Sequence, residues 1–140
     1  MERTLAIVKP DGVAQACIGR VVSRIEQEGF RIAALRLVRL TRQEAEGFYA
    51  VHRERPFFAS LTAFMSSGPA LVMVLERDGA IRHWRDVMGA TDPAKAAPGT
   101  LRKELATNIE KNVVHGSDAA ETAANEIAYF FPGVELVPSR

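Results

Sequence analysis

Two stretches of uninterrupted apolar residues constrain this chain most, because both must be hidden from water. They occupy residues 5–8 and residues 70–75. A strand that is apolar at every position is covered on both faces, whereas a strand with one wet face alternates apolar and polar residues. Both stretches are far too short to cross a bilayer. The sequence therefore predicts two central strands of a sheet with helices packed on its faces.

The patterns around these stretches predict two further strands and several helices. Apolar residues at i, i+3, i+4 and i+7 from residue 18 predict a helix that ends at Gly29. Residues 30–40 mix apolar residues with arginines, which is typical of a half-exposed strand. A helix is expected after Pro56, and a short strand at residues 113–114. Residues 9–12, Lys-Pro-Asp-Gly, predict a turn after the first strand.

Capping residues predict the starts of three more helices. Thr41 and Glu44 have the spacing of a capping box, as do Asp118 and Glu121, and Asp78 can cap a helix by itself. The three helices are expected to end near residues 51, 133 and 88, respectively. Between residues 89 and 112 the pattern weakens, and a partly structureless stretch of that length is usually functional or mobile.

The predicted order is βαβ, then helices, then βαβ. With the two wholly apolar strands in the middle, this order predicts an α+β fold of the ferredoxin-like split βαβ type, a four-stranded antiparallel sheet with helices on its faces. The alternative, a doubly wound parallel sheet, would need more strands than the sequence offers. A length of 140 residues suits one domain spanning residues 1–140.

Composition narrows the class of protein without indicating its chemistry. The 18 Lys and Arg against 17 Asp and Glu give a formal charge of +1, without the basic excess expected of a protein that binds nucleic acid electrostatically. The N-terminus has no signal-peptide pattern. The single cysteine, Cys17, cannot form an internal disulfide. We therefore expect a cytoplasmic protein that uses neither a membrane nor a specific nucleic acid as partner.

Several common catalytic motifs are absent from the sequence. There is no GxxxxGK[ST] loop, no GxGxxG after a strand and no GxSxG. The three histidines are widely spaced, and with one cysteine they form no zinc-binding pattern. A P-loop kinase, a dinucleotide-binding domain and a zinc site are therefore not predicted.

The segment 112–118, Asn-Val-Val-His-Gly-Ser-Asp, is the strongest candidate for a reactive site. His115 ends a short strand, next to a glycine that permits close approach and before a predicted helix N-terminus that favours phosphate. A histidine is substantially neutral at pH 7 and can act as nucleophile or base. The residues alone leave a structural histidine equally open.

Other polar residues have a functional and a plain interpretation. Lys9, at the end of a buried strand, is either a positioned cation or a solvated turn residue. Arg85 and Arg102 can bind phosphate oxygens or serve only for solubility. Phe57 is either a core residue or an exposed aromatic face. Glu126 is either a surface carboxylate or a group that orients a histidine.

Together these residues resemble the nucleoside diphosphate kinase family, and the match runs through nearly the whole chain. Six short blocks carry it in the right order, and their joint occurrence is specific. They are IVKPDGV at 7–13, RPFF at 55–58, SGP at 67–69, GATDPA at 89–94, PGTLR at 98–102 and NVVHGSD at 112–118.

The resemblance implies transfer of the γ-phosphoryl group from a nucleoside triphosphate such as ATP to a nucleoside diphosphate such as GDP. The mechanism would be ping-pong, with His115 phosphorylated on the ring nitrogen nearest the chain. Broad tolerance of base and sugar is implied, because stacking on Phe57 needs no contact to a base edge. The other implied site residues are Lys9, Arg85, Thr91, Arg102 and Asn112 as ligands for phosphates and sugar, Tyr49 near the histidine, Ser117 and Glu126 as the pair that orients it, and Asp118 beside the metal-bound phosphates.

The resemblance also implies a metal and an assembly. Mg²⁺ is expected to arrive with the nucleotide and to be held mainly by its phosphates. The family forms homotetramers and homohexamers from a common dimer, and the loop from residue 91 to 102 resembles its subunit-contact loop. The short stretch after residue 133 favours the tetramer.

Two other classes of function remain as alternatives. One is a ferredoxin-like module that senses nucleotides without chemistry, for which a nucleophile would be unnecessary. The other is a nucleic-acid-binding or regulatory role, which the near-zero net charge disfavours.

Overall fold

The computed structural model describes residues 1–133, 136 and 137. Within them four strands form one antiparallel sheet in the order β2-β3-β1-β4. The strands are β1 (Glu2–Val8), β2 (Arg31–Val38), β3 (Ala70–Arg77) and β4 (Val114–Gly116). The two wholly apolar stretches lie in β1 and β3, the central strands. The predicted split βαβ sheet is thereby confirmed.

Seven helices accompany the sheet in the described part of the chain. They are α1 (Pro10–Ala14), α2 (Ile18–Gln27), α3 (Arg42–Phe48), α4 (Phe58–Met65), α5 (Ala80–Met88), α6 (Leu101–Leu105) and α7 (Ala120–Phe130), with short 3₁₀ turns at Ala50–His52 and Pro93–Lys95.

Alternate residues of the central strands belong to two separate hydrophobic cores, one on each face of the sheet. On β1, Ala6 and Val8 pack with α2 and α5, while Leu5 and Ile7 pack with α3, α4 and α7. Successive side chains of a strand point to opposite faces, so a strand between two apolar layers must be apolar throughout. The continuous apolar runs in the sequence thus have a direct physical cause.

Some predicted boundaries are confirmed. Helix α2 covers the predicted stretch, and Gly29 follows it with φ +82°, a left-handed conformation that glycine adopts readily. At the start of α3, Thr41 Oγ1 accepts from the Glu44 backbone N–H, while the Glu44 carboxylate accepts from the Thr41 N–H. This α-helix ends at Phe48, and the 3₁₀ turn that follows contains Val51.

The predicted caps at Asp78 and Asp118 are wrong. Helix α5 begins after Gly79, which has φ +62°, and its N-cap makes no side-chain hydrogen bond. At α7 the Ala119 N–H donates to Thr122 Oγ1, so the helix begins one residue later than expected. Asp118 instead accepts a hydrogen bond from Arg85. Arg85, which is distant in sequence, therefore binds the carboxylate that local spacing had predicted to cap α7.

Two other segments are more regular than predicted. Residues 10–14 form the helix α1 rather than a turn, with Pro10 in its first turn, where the missing N–H costs nothing. Residues 89–112 contain a 3₁₀ turn and α6, for which Thr100 Oγ1 accepts from the Lys103 N–H. Strand β4 begins one residue later than predicted. The preference for a tetramer depended on the tail, which lies partly outside the described residues.

Candidate functional site

His115 lies in β4, the edge strand beside β1, where it pairs with Ile7. The next residue, Gly116, lies against the buried ring of Trp84: a Cβ there would come within 2.5 Å of that ring. The Trp84 indole N–H donates to the His115 carbonyl oxygen at 3.1 Å. These contacts fix the backbone that carries the histidine.

The His115 imidazole is oriented by a carboxylate and a hydroxyl. Its Nε2 lies 2.9 Å from Glu126 Oε1, and Ser117 Oγ donates to the same oxygen at 2.9 Å. Ser117 Oγ in turn accepts from the Leu5 backbone N–H. Because a carboxylate only accepts, the proton belongs on Nε2 and the lone pair on Nδ1. Among the described residues no group hydrogen-bonds to Nδ1, which leaves this nitrogen able to act as a nucleophile.

Two aromatic residues pack edgewise on the His115 ring. The centroid of Phe48 lies 5.5 Å away and that of Tyr49 6.2 Å away. Burial, and secondarily the charge of Glu126, raise the pKa of Tyr49 far above its ordinary value, so the phenol stays protonated. These rings further restrict how the imidazole can turn.

Lys9 is a buried cation linked to the segment before β4. Its Nζ donates to Asn112 Oδ1 at 2.9 Å and to the Glu110 carbonyl oxygen at 2.8 Å. Asn112 Nδ2 then donates to the Thr91 carbonyl oxygen. Burial is the main cause that lowers the pKa of Lys9 to about 8. An anion placed beside Lys9 would therefore interact with an ammonium group that water does not fully solvate.

A second cation, Arg102, comes from α6. Its guanidinium donates to the carbonyl oxygens of Gly89 and Val114, while its Nε is buried without a hydrogen-bond partner among the described residues. Burial, and then the nearby charge of Arg85, lower the pKa of Arg102 to about 10. The group stays charged at neutral pH, and it lines the cleft, where its charge can attract an anion.

These residues meet around one cleft of about 320 Å³. A wider depression of about 630 Å³ adjoins it, but no histidine lines that depression. The smaller cleft is the one where His115, two cations and an exposed aromatic ring converge. Its lining comprises Lys9, Tyr49, Phe57, Leu61, Thr91, Arg102, Ile109, Glu110, Asn112, Val114 and His115.

Most of the residues singled out in the sequence thus lie together, and four lie behind or beside the cleft. Ser117 and Glu126 support His115 from outside the lining, and Arg85 and Asp118 form an exposed ion pair. The sequence reasoning missed Ile109 and Glu110 as lining residues. In the sequence, Ile109 is an apolar residue isolated in a polar segment, and this is the one signal that could have indicated it. In the structure, 59% of Ile109 is exposed.

The donor groups fit a metal that is held mainly by its ligand. Among the described residues no three His, Cys, Asp or Glu side chains form a metal-binding group. Asp118 is exposed and could contribute one carboxylate oxygen. Mg²⁺ is often bound by one or two carboxylates together with substrate phosphates and water.

A search of the described helices for a membrane-spanning segment finds none of sufficient length and hydropathy.

Comparisons with known proteins agree on one family. The family model described as nucleoside diphosphate kinase matches residues 2–136. A curated nucleoside diphosphate kinase of Desulfosudis oleivorans is 62% identical, over 98% of this chain and 99% of the relative. One of Desulforapulum autotrophicum is 61% identical, again over 98% and 99%.

Solved structures are similar as well. The nucleoside diphosphate kinase of Aquifex aeolicus superimposes with a TM-score of 0.95 at 47% identity, covering 97% of this chain and 99% of that one. The enzyme of Halobacterium salinarum, solved in complex with CDP, has a TM-score of 0.95 at 41% identity, with coverage of 99% and 93%.

Proposed function

Since the chain belongs to the nucleoside diphosphate kinase family, we propose that His115 carries the phosphoryl group between two nucleotides in this enzyme. The family transfers the γ-phosphoryl group of a nucleoside triphosphate to a nucleoside diphosphate through a phosphohistidine. The observation that carries the assignment is the hydrogen bond between His115 Nε2 and Glu126. It leaves the lone pair on Nδ1 of a histidine that lines the cleft.

The transfer takes place in two displacements at one site. The Nδ1 lone pair forms a bond to the γ-phosphorus as the bond to the bridging oxygen breaks, and the diphosphate leaves. A terminal phosphate oxygen of the second nucleotide then attacks the phosphorus and the P–N bond breaks. Glu126, held together with Ser117, stabilises the imidazole proton on Nε2 throughout.

The remaining cleft residues have binding roles in this proposal. Lys9 and Arg102 neutralise the phosphates, and Thr91 and Asn112 contact phosphate and sugar. Phe57, 46% exposed, offers a face on which any base can stack, which supports broad tolerance. Arg85 would join them by exchanging Asp118 for phosphate, and Tyr49 would position the His115 ring.

The divalent metal that the family uses is proposed to be Mg²⁺. When bound, it supplies positive charge to the phosphates. Asp118 is the residue of this chain placed to assist in holding it, because its carboxylate is exposed and neighbours Arg85. Its ligands would otherwise be phosphate oxygens and water.

We also propose that residues 1–140 form one domain that self-associates, as a homotetramer or homohexamer, in the cytoplasm. The exposed apolar residues Leu35 and Leu37 on the edge strand β2 support self-association, because such edges are usually paired or protected. A single buried free thiol, Cys17, supports a reducing compartment.

Labelling with γ-labelled ATP tests the assignment of His115. After incubation with Mg²⁺ and removal of nucleotide, we expect acid-labile label on His115 that leaves when GDP is added. The variant His115→Asn should bind ATP nearly as well and take up no label.

The matched control is His83→Asn, because His83 Nε2 also pairs with a carboxylate, Glu28, outside the cleft. It should be labelled as the wild type is. Label retained by His115→Asn would refute the assignment, and unlabelled wild-type protein that still binds ATP would favour a nucleotide sensor.

A further inference from the structure

One carboxylate, that of Glu110, lines a cleft whose other charged lining residues, Lys9 and Arg102, are cations. Glu110 follows Ile109 in the segment between α6 and β4, and both residues line the cleft together with Phe57. The backbone carbonyl of Glu110 accepts from Lys9, so this residue is anchored at the reacting end while its side chain is free to extend elsewhere. A negative side chain in a site for polyanions requires an explanation.

The contacts of Glu110 place its carboxylate beside the aromatic platform. Its Oε2 accepts from Ser60 Oγ at 2.7 Å. Ser60 lies three residues after Phe57 at the start of α4, a spacing that puts both on one face of the helix. The carboxylate is therefore directed to the side of the cleft where Phe57 offers its ring.

The second carboxylate oxygen remains available to a ligand. No described group donates a hydrogen bond to Glu110 Oε1, and the residue forms no ion pair with a described cation. A carboxylate is an acceptor only, so what it binds must carry N–H or O–H groups. A base stacked on Phe57 would bring its edge to this oxygen.

The nucleobases differ in what they would offer there. Guanine presents an N–H and an exocyclic amino group side by side, and cytosine and adenine each present one exocyclic amino group. Uracil and thymine present one N–H flanked by two carbonyl oxygens, which a carboxylate repels. Hydrogen bonds to an ionised acceptor are about twice as strong as neutral ones.

We propose that Glu110 gives this enzyme a graded preference for bases with an exocyclic amino group, guanine most of all, within its broad base tolerance. The inference rests on the proposed function, in which the base stacks on Phe57. Ser60 is a positioning residue that holds the carboxylate at the edge of the base. Stacking on Phe57 allows every base to bind, and Glu110 sets the order of their affinities.

Guanosine and inosine diphosphates provide the test, because they differ only in the 2-amino group. We would measure the dissociation constants of both, and the rate at which each removes phosphate from the phosphorylated enzyme. The wild type should favour GDP over IDP by about tenfold, as one good pair of base-edge contacts allows. The ratio should fall in Glu110→Gln, which keeps an acceptor without charge, and approach one in Glu110→Ala.

Two further variants separate positioning from bulk charge. Ser60→Ala should lower the GDP:IDP ratio partway, since the carboxylate remains but is no longer held. Glu104→Gln removes the same charge from an exposed residue of α6 outside the cleft, and should leave the ratio as in the wild type.

Three results would overturn the proposal: a ratio near one in the wild type, an unchanged ratio in Glu110→Ala, or equal acceleration of both acceptors in that variant. The last would mean that Glu110 acts only by repelling phosphate. Because binding is measured apart from transfer, a retained GDP preference without transfer would support Glu110 and count against His115.

Discussion

At the scale of single residues, burial changes the chemistry of the cations in the cleft. Lys9 is 6% exposed, and loss of hydration destabilises its charged form. Its pKa of about 8 lies below the ordinary 10.5. Between these values the unfolded chain keeps the proton that the folded chain has lost. The Lys9 contribution to the free energy of unfolding therefore increases with pH across that window and is least favourable below about 8.

Nucleotide binding should reverse this shift, because phosphates beside Lys9 favour its charged form. At pH 8 about half of the free protein has neutral Lys9, so binding of a nucleotide should take up about half a proton. At pH 6.5 the uptake by this group should nearly vanish. Calorimetric titration in buffers of different ionisation enthalpy measures the number of protons.

The control is Lys9→Arg, which keeps the charge but cannot lose it near pH 8. It should bind nucleotide with far less proton uptake at that pH. Equal uptake by the variant and the wild type would assign the proton to another group.

At the scale of elements, α1 holds the chain that leads into β4. The Asp11 carboxylate accepts from the Val113 backbone N–H at 3.0 Å through Oδ2. Val113 has φ +72°, a left-handed conformation that is costly for a β-branched residue. Lys9 binds Asn112, the residue before it. The strained backbone immediately before β4 is thus held by two side chains from the end of β1 and the start of α1.

Asp11→Ala should therefore lower the free energy of unfolding by about 1–3 kcal/mol, because it leaves a buried N–H of Val113 without an acceptor. Urea denaturation measures the change. Asp86→Ala, at an exposed position of α5, should change stability by less than about 0.5 kcal/mol. If the two variants were equally stable, the contact to Val113 would not contribute to holding this segment.

Helix starts also show which local signals are reliable. The Thr41 and Glu44 pair forms as spacing predicts, since no stronger partner competes for either side chain. Asp118 has a suitable local position as well, but Arg85, 33 residues earlier in the chain, binds its carboxylate. A cap can be predicted from sequence only where tertiary partners leave it free.

At the scale of the whole molecule, the edge strand β2 exposes apolar side chains, although the Val137 N–H donates to the carbonyl oxygen of its Ala33. On β2, Leu35 is 52% exposed and Leu37 57% exposed. An edge strand with exposed apolar side chains is a usual place for two chains to meet. The proposed self-association gives these residues a partner.

Leu37→Lys should consequently reduce the mass of the particle in solution, because a charge would be buried at the contact. Size-exclusion chromatography with light scattering measures that mass against the 15.3 kDa of one chain. Val51→Lys, at a residue 84% exposed outside the sheet, should leave it unchanged. A wild-type mass of one chain would refute self-association, and an unchanged mass for Leu37→Lys would exclude this edge.

The sequence by itself determined the sheet and the place of His115 in its short last strand. Short continuous apolar runs bounded by turn residues favour strands covered on both faces, as β1 and β3 are, and the two valines before His115 favour the short strand in which it lies. Tertiary structure alone decided that His115 Nε2 and Ser117 Oγ share one carboxylate oxygen of Glu126, that burial lowers the pKa of Lys9, and that Glu110 lines the cleft. These properties depend on distances between residues far apart in the chain, on which local spacing carries no information.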